Sequence, residues 1–168
     1  MCSIWFSVRT AEMPTYTMLI GVPGSGKSTW LAQHPVDWSN TVIASTDNII
    51  ERRAKEQGKT YTEVFNNEIK SATAEMNQLL RDALTEGLNV VHDQTNTTVK
   101  ARKAKLAQIP DTYHKVAVFF PTPSDAELKR RLAGRAGKTI PANVIMAMKS
   151  QLEMPSLAEG FDQVQIAN

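Results

Sequence analysis

Apolar positions along this chain fall into two alternating patterns. Short compact runs, Tyr16–Ile20, Thr41–Ala44, Leu88–His92 and Lys115–Phe120, have the length and burial pattern of strands in a covered sheet. Between them lie helix-compatible segments at about 27–33, 48–57, 60–86, 98–108, 124–133 and 141–151. A last short strand is expected over 161–166. Polar and turn residues punctuate the series. His34-Pro35 breaks the first helix, Gly58 and Gly87 stop two others, and Thr60-Tyr61-Thr62-Glu63 is a capping box opening the longest. Strand and helix in strict alternation predict an α/β fold in three layers, with a parallel sheet of four to five strands between helices.

The turn after the first strand carries the most specific chemistry. Gly21-Val22-Pro23-Gly24-Ser25-Gly26-Lys27-Ser28 reads G-x-x-x-x-G-K-[ST], the phosphate-binding P-loop, and stands between a strand and a helix as that motif requires. Its glycines let backbone N–H groups approach phosphate oxygens, and the following helix directs its positive end at the same anion. The expected nucleotide-binding set is Gly21, Pro23, Gly24, Ser25, Gly26, Lys27, Ser28 and Thr29. Lys27 can reach the β- and γ-phosphates, and Ser28 offers a hydroxyl to Mg²⁺.

Ligands of open parallel sheets bind at the carboxyl ends of the strands. The second strand ends in Ser45-Thr46-Asp47 and the third in Asp93. Asp47 can serve as the general base of a phosphoryl transfer or cap the helix starting at Asn48. Asp93 can bind Mg²⁺ through water, or brace the P-loop or acceptor site. In Asp93-Gln94-Thr95-Asn96, the turn reading is preferred for Asn96. Arg131 and Arg135, four apart and flanked by Gly134 and Gly137, suit a hinged lid (about 131–140) that neutralises transferring phosphate. The alternative is a solvated basic helix. Arg52 and Arg53 follow Asp47, and one of them can face an acceptor phosphate. Lys100, Arg102, Lys103 and Lys105 can steer a polyanionic acceptor or form a solvated face, the latter being preferred for any single residue. His34, His92 and His114 lack metal-ligand spacing, and His92 is read as packed or on the surface. Trp30 and Trp38 are read as core or site wall.

Composition narrows these readings. A 168-residue chain with 42% hydrophobic residues suits one domain with a real core. A formal net charge of +2 excludes a globally basic nucleic-acid coat, and the single cysteine, Cys2, excludes a disulfide framework within the chain. Residues 1–14 are expected as an N-terminal extension without a convincing secretory signal, and 15–168 as one domain. No stretch is apolar enough to span a bilayer, so a soluble, cytoplasmic protein with no membrane partner is expected.

From about Met18 to Gln151 the chain resembles the kinase domain of phage-type polynucleotide 5′-hydroxyl kinases. The resemblance rests on the P-loop with its trailing Thr29-Trp30, on Ser45-Thr46-Asp47, on Asp93-Gln94-Thr95-Asn96, on Glu127-Leu128-Lys129-Arg130-Arg131, and on Arg135-Ala136-Gly137-Lys138-Thr139-Ile140-Pro141. It implies a P-loop kinase fold with a helical, arginine-bearing lid, ATP (or another NTP) with Mg²⁺, and the 5′-hydroxyl end of DNA or RNA as acceptor. It implies that Asp47 activates the acceptor hydroxyl. Lys27 and Ser28 would hold phosphates and Mg²⁺. Asp93 would be an acceptor-side or metal-side carboxylate, Arg135 would act on the phosphates, and Arg131 would support donor binding. The chain departs from this family at Thr46 and Ile50, where a basic residue and an acceptor-clamping arginine often stand. Unless Arg52 or Arg53 substitutes, the clamp is missing. Gluconate, shikimate, antibiotic and toxin kinases of the same superfamily share the P-loop, the aspartate and the lid, which makes a small-molecule acceptor the alternative.

Overall fold

The computed structural model describes residues 12–167. Most of the expected N-terminal extension therefore lies outside the described residues. Five parallel strands form one sheet in the order β2-β3-β1-β4-β5: β1 Thr15–Ile20, β2 Thr41–Ala44, β3 Asn89–Asp93, β4 His114–Phe119 and β5 Gln163–Ile166. The expected α/β fold with its parallel sheet is present. The helices are α1 Lys27–Gln33, α2 Thr46–Glu56, α3 Tyr61–Glu86, α4 Val99–Leu106, α5 Asp125–Ala133 and α6 Ala142–Ser150.

Alternation along β1 decides what each face of the sheet packs against. Tyr16, Met18 and Ile20 join Val90, Ala117 and the apolar faces of α2 and α3 in the larger core. Leu19 points the other way, into a smaller core with Val91, Val118 and Leu31 of α1. Covering both faces produces the three layers and explains why the strands read as near-continuous apolar runs. A third cluster, Val22, Leu128 and Ile145, draws α5 and α6 against the P-loop.

Local signals set most boundaries. Thr60 and Glu63 form the capping box of α3, and Gly87 (φ 69°) ends it in the left-handed conformation. One boundary differs with consequence. Helix α2 starts at Thr46 and not at Asn48, with the Ser45 side chain accepting from the Asn48 amide as its cap. Asp47 is therefore inside the first turn and is not the cap. Trp38, read as core or site wall, is exposed. Its flanks, Asp37 and Ser39, are turn residues that hydrogen-bond each other and hold the segment at the surface.

Candidate active site

The P-loop leaves the buried end of β1 and turns directly into α1. Gly26, the residue before the helix, has φ 111°, a conformation that excludes most side chains. At Gly21 a Cβ would come within 2.6 Å of Ser25 Oγ and 2.9 Å of Phe120 Cβ, so the loop closes only on glycine. The buried Ser25 Oγ has no hydrogen-bond partner. An unmatched buried hydroxyl at the loop is what a phosphate oxygen would satisfy. Lys27 bends back to donate to the Gly21 and Val22 carbonyls at 2.8 and 3.1 Å. Burial pushes its ammonium down to about 8, against the opposing pull of Asp93.

A cavity of about 1620 Å³ opens over the loop and gathers groups from distant parts of the chain: Lys27, Ser28, Asp47, Asp93, Arg131 and Arg135 all line it. The strand ends explain the convergence. Asp93 closes β3 opposite Leu19 of β1, and Asp47 follows the neighbouring β2. Burial raises the Asp93 carboxyl above its usual range, with Lys27 opposing and Asp47 adding to the rise. Arg131 donates to the Gly24 carbonyl at 3.2 Å and to Glu127 at 2.6 Å, which pins α5 to the P-loop. Helix α5 ends at Ala133, so Arg135 lies in the turn beyond it and shares the cavity, not a helix face, with Arg131.

Asp47 is held by two residues that sequence reasoning missed. Tyr61 donates to Oδ1 at 2.7 Å, and Lys138 donates to Oδ2 at 2.7 Å and to Glu51 at 2.8 Å. Lys138 also sits 4.1 Å from the Tyr61 ring centroid. Partial burial pushes the Asp47 carboxyl up, but the bonds and charge of Lys138, with Tyr61 and Lys27, outweigh it and hold it below the ordinary carboxylate range. The segment Gly137-Lys138-Thr139 is fastened to α3 by Thr62, whose amide and hydroxyl donate to the Gly137 carbonyl while its hydroxyl accepts from the Thr139 amide. The signal available beforehand was Lys138 inside the lid motif; its partner was not deducible.

Two expectations are corrected. Arg52 and Arg53 do not line the cavity. Arg52 pairs with Glu75, and Arg53 with Glu68 and Glu75, at 2.5–2.6 Å along α3. Successive residues on α2 point these side chains at the acidic flank of α3, away from the cavity. Nor is the basic segment of α4 a uniformly solvated face. Arg102 is fully buried, paired with Glu159 through both Nε and Nη2, and Lys105 lines the cavity. His92 is packed, as expected: it accepts from Tyr16 Oη at 2.6 Å and donates to Gln94 at 3.2 Å, and burial pushes it down to about 3. Asn96, at φ 48°, is a turn residue whose amide donates to the Leu19 carbonyl.

The donor set suits magnesium. The Ser28 hydroxyl and Asp93 carboxylate are hard oxygen ligands, and both line the cavity beside the phosphate cradle. Among the described residues no cluster of three or more His, Cys, Asp or Glu could cage an ion. Most ligands of a bound Mg²⁺ would therefore come from phosphate and water. No helix among the described residues is long and apolar enough to cross a membrane.

Sheet order, P-loop position and covering helices together define a P-loop kinase fold. A family model described as an AAA domain matches residues 17–155, and the chain belongs to that family, which implies a nucleoside triphosphate as ligand. Heterogeneous nuclear ribonucleoprotein U-like protein 2 from Mus musculus is 24% identical over 164 residues, covering 93% of this chain. The chain spans 22% of the length of that relative. A candidate kinase from Chloroflexus aurantiacus superposes with a TM-score of 0.66 at 16% identity, over 92% of this chain and 85% of its own. A chain of the Pnkp1/Rnl/Hen1 RNA repair complex superposes with a TM-score of 0.58 at 23% identity, over 92% of this chain and 48% of its own. At these identities the structural likeness is one of fold.

Proposed function

We propose that this chain is an ATP-dependent kinase that phosphorylates the 5′-hydroxyl end of a nucleic acid. The observation that carries the reading is the opposition, across one cavity, of a phosphate cradle with its lysine and a carboxylate held by Tyr61 and Lys138. The acceptor oxygen attacks the γ-phosphorus, the bond to the departing ADP oxygen breaks, and Asp47 takes the hydroxyl proton. Because the Asp47 carboxyl lies below the usual range, it is a weak base. It suits a loose transition state, in which alignment matters early and proton removal comes late. Lys27, the P-loop amides and the Arg131–Arg135 pair meet the charge spreading over the transferred group. Bound with the triphosphate, Mg²⁺ would add neutralisation at the β- and γ-oxygens, with Ser28 and Asp93 as the protein groups able to hold it.

The nucleic-acid acceptor draws support from two likenesses, to a ribonucleoprotein-related protein and to a chain of an RNA repair complex. One observation favours a small-molecule acceptor instead: Arg52 and Arg53 are occupied by Glu68 and Glu75, so neither is available as a clamp beside Asp47. Since one fold carries many acceptors, chemistry must decide. Labelled ATP offered with a 5′-hydroxyl oligonucleotide, and separately with sugars and nucleosides, is expected to label the oligonucleotide. Transfer only to a small molecule reassigns the acceptor, and transfer to nothing removes the kinase reading.

A further inference from the structure

Lys105 differs from Arg131 and Lys138 among the cations around the cavity. The charges of Arg131 and Lys138 are met by carboxylates, Glu127 for the first and Asp47 with Glu51 for the second. Lys105 donates only to neutral groups, the side-chain oxygens of Gln94 and Asn96, each at 2.5 Å. Among the described residues no carboxylate stands within ion-pair distance of it, and burial alone moves it, down to about 8. An ammonium carries three N–H donors, so a third remains for the cavity that Lys105 lines. Half-burying a cation against amide oxygens alone carries a cost, and structural bracing of two amides would not call for a charge.

Its position is on the acceptor side. Gln94, which Lys105 holds, donates in turn to Thr46 Oγ1 at 3.0 Å, and Thr46 is the residue before Asp47. The cavity that Lys105 shares with Asp47 also takes in Phe65 and Ile69 of α3 and Met148 of α6. We propose that Lys105 is an oxyanion-binding residue for the acceptor, receiving a phosphodiester or carboxylate that lies beyond the hydroxyl being phosphorylated. It supplies from α4 the positive charge that Ile50, Arg52 and Arg53 of α2 do not. For a nucleic-acid end the oxyanion is the first internucleotide phosphate; for a small metabolite it is a carboxylate or phosphate. The inference rests on the kinase reading for the word acceptor, but the binding site itself does not.

The test therefore reads binding and transfer separately. Two ligand pairs are compared: a 5′-hydroxyl dinucleoside monophosphate against its nucleoside, and gluconate against glucose. Calorimetric titration into protein with ADP and Mg²⁺ is expected to show the anionic member of one pair binding about tenfold tighter, the scale of one charge-assisted hydrogen bond. Lys105→Met should erase that preference and Lys105→Arg should retain most of it. Which pair responds identifies the source of the oxyanion. No anion preference in either pair overturns the proposal. So does an equal loss for charged and neutral members in Lys105→Met, the signature of amides that have lost their brace. Should that variant not fold, NMR of wild-type protein carrying ¹⁵N-lysine reads the same contact. The Lys105 Nζ signal shifts with the anionic ligand only, and a signal that stays in place rejects the site. Absence of transfer from labelled ATP to every acceptor sinks the kinase reading and leaves the binding result standing.

Discussion

Lys138 and Asp47, 91 residues apart in the chain, meet at 2.7 Å in the lining of the cavity. The contact joins the loop after α5 to the first turn of α2. It fixes one carboxylate oxygen while Tyr61 fixes the other. Orientation and charge of the proposed base are thus set by residues on two other elements.

Removing that cation should change the proton chemistry before it changes the fold. In Lys138→Met the carboxyl loses the largest influence holding it down, so its pKa rises. The acid limb of the kcat/KM profile should then move to higher pH, with turnover down about tenfold. Lys138→Arg should restore much of both. An acid limb that does not move would separate Asp47 from the titration.

Asp47→Asn keeps the shape of the site and leaves Lys138 its bond to Glu51. Nucleotide affinity should remain near the parental value while transfer falls about a hundredfold or more. Single-turnover measurement with saturating nucleotide checks this. Transfer near the parental rate would make Asp47 a structural residue of α2.

Lys27 leaves a signature in stability. Its folded pKa of about 8 lies below the ordinary 10.5. Between those values the unfolded chain holds a proton that the folded chain has released, so this residue makes stability rise with pH across that window. Below pH 8 both states are charged, and the buried ammonium weighs against the fold. Lys27→Met should therefore be the more stable protein at pH 7, with the gap narrowing toward pH 10, and should lose nucleotide binding. Denaturant unfolding of both proteins over that range measures it. A gap independent of pH would show that Lys27 is not desolvated.

His92 predicts the opposite end of the scale. Its folded pKa of about 3 lies below the ordinary 6.5, so its contribution is complete above pH 6.5 and is lost as pH falls toward 3. His92→Gln should be less stable at pH 7, because the buried bond from Tyr16 is disturbed, and should lose stability less steeply in acid. Parallel acid profiles for the two proteins would contradict this.

Much of this molecule is legible before any coordinates. The P-loop, the alternation of strand and helix, the Thr60–Glu63 capping box and the Gly87 stop are local signals, written by residues next to one another. Their agreement allows the fold class, and the convergence of Lys27, Asp47 and Asp93 at strand ends, to be read from spacing alone. Helix α2 starts two residues before the expected position because Ser45, Thr46, Asp47 and Asn48 are all capable caps, and only the bond from the Asn48 amide to Ser45 selects one.

Sequence by itself therefore determined the three-layer α/β class, the phosphate loop and the carboxylates at the strand ends, because backbone periodicity and turn chemistry act over a few residues. Tertiary structure alone decided which charges are matched. It turned Arg52 and Arg53 onto Glu68 and Glu75, buried Arg102 against Glu159, brought Lys138 to Asp47 and left Lys105 facing neutral amides. Pairing of this kind depends on distance and desolvation between segments far apart in the chain, and a linear pattern of charges carries neither.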